Sequence, residues 1–296
     1  MRIGAFDIQD PIPQDDNLHA IAMLHPWVDA GNVATLTLDR IEHHLGAKEV
    51  AKLHRPGAFF DFTRYRPESR LIEGQRVISV PNTNVYYAHR ETGPSLLFIH
   101  LKEPHAFAER YMHSVVEMLK AFGVKRYCRI SGMYNAVPHT RPLKVTGSPG
   151  LEKIDSLAGL ITPRNPGGAY QGPTTIMNSV TEEMEKLGIE NINLMVHLPH
   201  YLTFDEDYEG TARLTQVLSK LYDLPETLVE SDRGDRQYSE VRLQMDGNPQ
   251  LTALIAQLDE YYDGQQPGTS EAKDDIGLAP NVEEFLREIG QKLEDS

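Results

Sequence analysis

An apolar run that leads through a short turn into an amphipathic helix constrains this chain more than any other feature. The run, residues 20–24, is typical of a buried strand, and the apolar positions that follow Ala30 at helical spacing predict a helix to about Leu45. The turn between them carries the only tryptophan, Trp27. A helix that follows a strand so closely presents free backbone N–H groups at the carboxyl end of the strand, where open α/β sheets bind ligands. The sequence therefore predicts an α/β sheet with a candidate site at this turn.

Strand and helix patterns alternate along the chain as far as Pro199. Further strands are predicted at 50–54, 95–101, 124–130, 143–146 and 191–197, helices at 104–122 and 173–187, and a β-hairpin from 76–80 and 85–89. Residues 131–142 show no periodicity and are predicted to form a loop. The repeated β–α–β order favours an α/β fold with a mixed sheet flanked by helices on both faces.

The pattern changes after Pro199, because only helices are predicted beyond it, at 210–222, 225–230, 239–245 and 249–262. The Gly, Gln, Pro and Ser residues at 264–270 are typical of a flexible linker, and a last amphipathic helix can begin at Asn281. The predicted organisation is an α/β core of residues 1–205, a helical appendage of 206–263, a flexible acidic linker of 264–280 and a C-terminal amphipathic helix of 281–296.

The charge of the chain argues against several classes of partner. Its net charge is −14, which is unfavourable for binding nucleic acids or anionic membrane surfaces. More than half of that excess lies in residues 257–296, which have eleven acidic side chains against three basic ones. No apolar run approaches the roughly 18 residues of a membrane span, and the single cysteine, Cys128, suits a reducing cytoplasm. We expect a cytoplasmic protein with neither nucleic acid nor membrane as a partner.

The turn into the first helix admits two interpretations. In one, Asn32 and the backbone N–H groups around Gly31 hold an anion at the helix N-terminus. In the other, Asp29 caps that helix, and its carboxylate repels an anion. No Gly-x-x-x-x-Gly-Lys-Ser/Thr phosphate loop occurs in the chain.

A His-Thr-Arg sequence at 139–141 forms a second candidate group. It follows the strand predicted at 124–130, so we expect it along the same rim of the sheet as Asp29. The Arg141 guanidinium offers a bidentate fork for a carboxylate or phosphate, and the histidine can carry a proton. Alternatively, Arg141 pairs internally with Asp29 or Glu103 and locks the loop.

Catalytic and metal-binding motifs are incomplete. Ser131 follows a strand, but the Gly-x-Ser-x-Gly sequence of a nucleophile elbow is incomplete around it. Ser131 could act as a nucleophile only if the fold brings it close to His139. None of the twelve histidines stands at the spacing of a zinc site, and there is no cysteine pair. We therefore expect no metal and no cofactor.

Several short sequences occur in an order that is similar to one known family. They are PWVDAGN at 26–32, EHHLGA at 42–47, FDF at 60–62, EP at 103–104, HTRP at 139–142, YQGP at 170–173 and LPHY at 198–201. Together they resemble the type-two proteasome-assembly-chaperone family in its bacterial and archaeal form, over about residues 18–262. Some members of that family carry the label of a carboxylate–amine ligase of the ATP-grasp type.

The resemblance implies a phosphorylase- or hydrolase-like α/β core, a helical C-terminal part and a homo-oligomer, for which a trimer is one arrangement. Archaeal members look as if they dock on proteasome rings through a C-terminal hydrophobic–Tyr–any-residue tail. Residues 292–296, Lys-Leu-Glu-Asp-Ser, do not follow that pattern, so we do not expect docking of this kind. The Gly-rich loop with a lysine that an ATP-grasp ligase needs is not recognisable either.

We therefore expect an assembly-chaperone-like protein that acts through protein–protein interaction, with itself and with a protein client, and without catalysis. The alternative is an enzyme of phosphorylase/hydrolase-like or ligase type that binds an anionic small molecule. For that alternative, the candidate ligand-binding residues at the rim of the sheet are Asp29, Gly31, Asn32, His139, Thr140, Arg141 and Gly172.

Overall fold

The computed structural model describes residues 1–72, 74–164, 172–245 and 249–264. These residues form two compact units. The first contains Met1–Trp27, Glu42–Arg129 and Pro173–Ile192, and the second contains the described residues within Val28–Ile41, Ile130–Gly172 and Asn193–Ser296. The predicted linker at 264–280, apart from its first residue, and the predicted helix at 281–296 lie outside the described residues.

Ten of the twelve strands in the described residues form one mixed sheet, and β5 and β6 form a separate two-stranded sheet. The predicted fold class, a mixed α/β sheet flanked by helices, is confirmed. None of the described helices is long and apolar enough to cross a membrane. The strands are β1 (Arg2–Ile3), β2 (Phe6–Ile8), β3 (Leu18–His25), β4 (Lys48–Leu53), β5 (Glu68–Ile72), β6 (Gln75–Ser79), β7 (Asn84–Ala88), β8 (Ser95–Lys102), β9 (Arg126–Asn135), β10 (Val145–Gly147), β11 (Thr162–Pro163) and β12 (Glu190–Pro199). The α-helices are α1 (Val33–Leu45), α2 (Ala108–Ala121), α3 (Ile176–Lys186), α4 (Tyr208–Tyr222), α5 (Ser231–Met245) and α6 (Pro249–Gly264).

The centre of the first unit is formed by β3 and β8, which pair in parallel over eight residues. Residues 20–24 of β3 and 96–99 of β8 are buried without interruption. A parallel strand that is covered on both faces has no polar side, which explains the continuous apolar runs in the sequence. β9 pairs in parallel with the other edge of β3, while β7, β4, β2 and β1 continue the sheet beyond β8 in antiparallel order.

The predicted hairpin of 76–80 with 85–89 is wrong. β6 pairs with β5, whereas β7 lies between β4 and β8. The connecting residues are held to β4 because the Asn82 side chain bonds to the backbone of Leu53. Its Oδ1 accepts from the Leu53 N–H at 3.1 Å, and its Nδ2 donates to the Leu53 carbonyl at 3.2 Å. The pattern located both strands but did not identify their partners.

In the second unit the end of β9 is followed in the sheet by β12, β10 and β11. β10 pairs antiparallel with β12 and parallel with β11. Residues 131–135, predicted as loop, continue β9, and Gly132 within them hides the strand pattern. Helices α4, α5 and α6 occupy most of the segment after Pro199 that was predicted to be helical. The boundary at residue 205 between a core and a helical appendage stays a prediction.

Two glycines let the first turn of α1 approach β9 and α4. A Cβ on Gly132 would lie 2.3 Å from Cγ2 of Val33, and a Cβ on Gly210 would lie 2.8 Å from Cγ1 of the same residue. Val33 itself is fully buried. A side chain at either position therefore requires the neighbouring side chains or the backbone to move.

Replacing Gly132 by alanine is expected to lower the free energy of unfolding by about 1–3 kcal/mol, because the added methyl group overlaps Val33. Chemical denaturation followed by circular dichroism measures this. Met133→Ala changes an exposed side chain of the same strand and serves as the control, with an expected effect of about 0.5 kcal/mol or less. A Gly132→Ala protein as stable as the wild type would contradict the close approach.

Candidate functional site

The carboxylate of Asp29 occupies the N-terminal end of α1. Its Oδ1 accepts hydrogen bonds from the backbone N–H groups of Ala34 at 2.8 Å and Thr35 at 3.3 Å, and its Oδ2 accepts from the Thr35 hydroxyl at 2.6 Å. Asp29 is almost fully buried. A carboxylate at this position satisfies helix N–H groups that an external anion would need, and its charge repels such an anion. The structure thus shows the capping contact that was one of the two interpretations.

Gly31 and Asn32 hold the residues that precede α4. The Gly31 carbonyl accepts from the N–H of Asp207 at 2.8 Å, and a Cβ on Gly31 would lie 2.6 Å from the Cβ of Asp207. Gly31 also has a φ of +57°, which favours glycine. The Asn32 Nδ2 donates to the carbonyl of Asp205 at 2.9 Å. The side-chain donor that was expected to hold an anion is therefore bonded to the backbone.

The same turn is strained at Val28, which has a φ of 58°. β-Branched residues rarely adopt this conformation. The Val28 carbonyl accepts from the N–H of Gly132 at 2.8 Å, which helps to hold the residue in place. Strain of this kind persists only where the surrounding contacts determine the conformation. The turn at residues 28–32 is thus held by specific contacts on several sides.

His139 is buried beside Tyr201. Its backbone N–H donates to the Tyr201 hydroxyl at 2.8 Å, and its Nδ1 also lies 2.8 Å from that oxygen. Since the hydroxyl accepts from the backbone, it can donate its own proton to Nδ1. Burial lowers the pKa of His139 to about 4, so the ring is neutral at neutral pH. A buried neutral ring with this bond is poorly placed to exchange protons with a substrate.

Thr140 and Arg141 bind two carboxylates of α6. The Arg141 Nε and Nη2 donate to the two oxygens of Asp263 at 3.1 and 2.7 Å, and Nη1 lies 3.5 Å from Oδ1 of Asp259. The Thr140 hydroxyl donates to the same oxygen of Asp259. The fork that was predicted for an external carboxylate or phosphate is filled by carboxylates of the chain itself.

Two internal contacts that the sequence suggested are replaced by others. The carboxylate partners of Arg141 belong to α6, so the suggested pairing with Asp29 or Glu103 is wrong. The sequence left open a pairing of Ser131 with His139. Instead, Ser131 is buried and its hydroxyl donates to the Leu194 carbonyl at 3.3 Å.

The candidate residues therefore fall into two groups with different neighbours. Asp29, Gly31 and Asn32 contact the first turn of α1 and residues 205–207. Residues 139–141 contact Tyr201 and α6. Gly172 is exposed, and residues 165–171 before it lie outside the described part of the chain. A ligand-binding role for these residues stays a prediction.

Sequence reasoning did not predict that acidic side chains at the start of α4 are buried. Asp207 caps α4: its Oδ1 accepts from the N–H of Gly210 at 2.7 Å, and its Oδ2 accepts from the Tyr238 hydroxyl at 2.9 Å. Burial raises the pKa of Asp207 to about 6. Burial also raises the pKa of Glu209 to about 7, with smaller contributions from Asp235 and Asp207. The available signal was an aspartate just before the predicted helix, which is a preferred N-cap residue.

Comparison with known proteins identifies the family and the fold. The PAC2 family model matches residues 23–240. A protein of unknown function from Corynebacterium glutamicum has a similar structure, with a TM-score of 0.74 and 19% identity, covering 88% of this chain and 97% of that chain. The Mycobacterium tuberculosis protein of unknown function Rv2714 gives a TM-score of 0.74 and 21% identity, covering 98% of both chains. The M. tuberculosis proteasome-assembly chaperone homologue Rv2125 gives a TM-score of 0.67 and 17% identity, covering 80% of this chain and 99% of that chain.

At these identities the similarity to solved structures shows the fold alone. The matched family and these structures give no support to the ATP-grasp ligase label, which is not retained. No functionally curated protein matches the chain.

The contribution of Glu209 to stability is expected to fall as the pH rises from about 4.5 through about 7, because the folded protein keeps a proton that the unfolded chain has lost. Glu209→Gln removes this effect, so the variant should gain stability relative to the wild type at about pH 8 but not at about pH 4. Urea denaturation at both pH values measures the difference. Glu240→Gln, which changes an exposed carboxylate of α5, controls for the loss of a negative charge. A difference between wild type and Glu209→Gln that is equal at both pH values would contradict the raised pKa.

Proposed function

This chain belongs to the PAC2 family, and we propose that it is a chaperone-like protein that acts through protein–protein contacts rather than through catalysis. The proposal includes a homo-oligomer, with a trimer as one arrangement, and the binding of a protein client. The family match supports it, together with the similarity in fold to a structure described as a proteasome-assembly chaperone homologue.

The observation that carries the proposal is the exposed apolar surface of the β5–β6 ribbon, Glu68–Ile72 and Gln75–Ser79. All ten residues of the two strands are exposed. Grouped apolar side chains on a surface mark interaction sites, whereas single ones are ordinary. The ribbon and the residue after it expose five large apolar side chains: Leu71 at 72%, Ile72 at 54%, Val77 at 43%, Ile78 at 65% and Val80 at 45%.

The polar candidate residues also support the proposal, because their side chains are bonded within the chain. Asp29 is bonded to the first turn of α1, His139 to Tyr201, and the Arg141 fork to carboxylates of α6. These three groups, which could bind or transform a small molecule, thus have partners within the chain. The ribbon presents its apolar side chains to solvent instead.

The enzyme alternative has one observation in its favour. The Arg141 guanidinium binds Asp263 through two parallel hydrogen bonds, and it would bind an external carboxylate or phosphate in the same way. Such a ligand would first have to displace α6 from Arg141. Chemistry at this position therefore needs a rearrangement that protein contact at the ribbon does not.

We also propose a cytoplasmic location. Cys128 is fully buried in β9, and it is the only cysteine of the chain, so an intramolecular disulfide cannot form. A protein without disulfides suits a reducing compartment.

Affinity capture of the tagged full-length chain, followed by quantitative mass spectrometry, tests the proposed function. The wild type is expected to recover at least one client protein above the background of the tag alone. The double variant Leu71→Ser/Ile78→Ser should recover about tenfold less of it, because two apolar side chains no longer contribute to the contact.

The matched control is Leu243→Ser, which changes a leucine of α5 that is 73% exposed, and it should recover as much client as the wild type. Recovery of no client by the wild type, together with turnover of a small molecule by the purified protein, would overturn the proposed function.

A further inference from the structure

Helix α6 is held to the second unit by few buried side chains. Of the side chains described in it, residues 251–264, only Leu251 and Leu258 are buried, whereas α4 buries nine of its fifteen residues. Most of the stability of a helix in a protein comes from the packing of its apolar face. An element with few buried apolar contacts therefore opens at a lower free energy than the core around it. We expect α6 to detach more readily than α4.

Two carboxylates of α6 bind the segment of residues 140–144. The Arg141 guanidinium donates two parallel hydrogen bonds to Asp263, at 3.1 and 2.7 Å, and its Nη1 lies 3.5 Å from Oδ1 of Asp259. The Thr140 hydroxyl donates to the same oxygen of Asp259. Water reaches this contact, since 36% of the Arg141 side chain and 56% of the Asp263 side chain are exposed. A carboxylate from outside the chain can therefore compete with Asp263 for the guanidinium.

A tyrosine of α6 makes two further contacts with the 140–144 segment. The Tyr262 hydroxyl donates to the carbonyl of Pro142 at 2.8 Å, and the Lys144 Nζ lies 4.1 Å from the centre of the Tyr262 ring. An ammonium group over the face of an aromatic ring is attracted by the electrons of the ring. The segment thus binds a phenol as well as carboxylates.

The contacting side chains of α6 lie on one face of the helix. Asp259, Tyr262 and Asp263 stand at positions i, i+3 and i+4, which are neighbours on a helical surface. The two contacting segments have opposite charge: residues 140–144 contain one arginine, one lysine and no acidic side chain, and residues 257–264 contain three acidic side chains and no basic one. A small carboxylate can replace only part of this contact, whereas an acidic helix can replace all of it.

We propose that the 140–144 segment is a docking site for an acidic helix of a partner protein, and that α6 is the internal competitor that keeps this site closed. The partner helix carries two carboxylates one turn apart and an aromatic hydroxyl beside them, as α6 does. Binding exchanges the contacts of α6 for equivalent contacts of the partner and releases α6. None of these residues belongs to the β5–β6 ribbon, so this proposal and the proposed function can fail separately.

Fluorescence anisotropy tests this proposal on the full-length chain. The probe is a fluorescein-labelled synthetic peptide with the sequence of residues 249–264, which carries every contacting side chain of α6. In the wild type the resident helix competes at the high effective concentration of a tethered ligand, so the peptide should bind weakly. Asp259→Asn/Asp263→Asn weakens the resident helix and should tighten peptide binding about tenfold or more. Adding Arg141→Ala to this variant should reverse the gain.

A third acidic residue of the same helix provides the matched control. Glu260→Gln removes a negative charge from an exposed position of α6, and this variant should bind the peptide as weakly as the wild type. A peptide with asparagine in place of both aspartates should bind the double variant about tenfold less tightly than the native peptide. Far-UV circular dichroism and the urea midpoint verify that each variant is folded.

The outcomes separate an acidic helix from other occupants. Peptide binding that depends on the double change in α6, on Arg141 and on the aspartates of the peptide supports the docking site. Equal binding by the wild type and the folded double variant overturns the proposal, and so does binding that Arg141→Ala leaves unchanged. If the small dicarboxylate glutarate displaces the labelled peptide at the same concentration as unlabelled peptide does, the segment binds small carboxylates and the partner helix is wrong.

Discussion

The packing of the first turn of α1 is the constraint on which the second unit depends. Val33 lies against two positions, Gly132 and Gly210, where a side chain would overlap it, and the Asp29 carboxylate bonds the N–H groups of the same turn. β9 and α4 can approach α1 only because both glycines lack a Cβ. The helix N-terminus is filled by the chain's own carboxylate. The strand–turn–helix block that looked suited to an anion therefore serves to position secondary structure.

The second candidate group depends on a helix that is distant in sequence. Arg141 and Asp263 are separated by 122 residues, and their bidentate contact joins residues 139–141 to the end of α6. Carboxylates near the carboxyl end of a helix oppose its dipole, so the guanidinium offsets an unfavourable arrangement. Because both side chains are exposed to solvent, screening keeps the contribution of the pair to stability small. Its main consequence is that Arg141 is held against α6.

The sequence predicts best the strands that are buried on both faces. β3 and β8 are covered on both faces, and their continuous apolar runs identified them as buried strands. β6 also contains adjacent apolar residues, but its Val77 and Ile78 are exposed, because local periodicity does not report which surface covers a strand. The hairpin error has the same cause.

In the candidate site, contacts between residues close in sequence were predicted, whereas contacts between distant residues were not. Residue types and helix starts were predicted near Asp29, since capping is a local interaction. The partners of His139 and Arg141 are Tyr201 and α6, which a single sequence cannot associate with them. The raised pKa of Asp207 could not be predicted either, because it results from burial in the folded chain, which local sequence does not report.

The central claim, that the β5–β6 ribbon is a protein-contact surface, is tested most directly by hydrogen–deuterium exchange of its backbone amides. A lone ribbon opens readily, so its amides exchange quickly unless a partner covers it. We predict slow exchange in 68–72 and 75–79 at concentrations where the protein is associated and fast exchange after dilution, with β8 protected in both cases. Equally fast exchange of these residues at every concentration, while β8 stays protected, would contradict the claim.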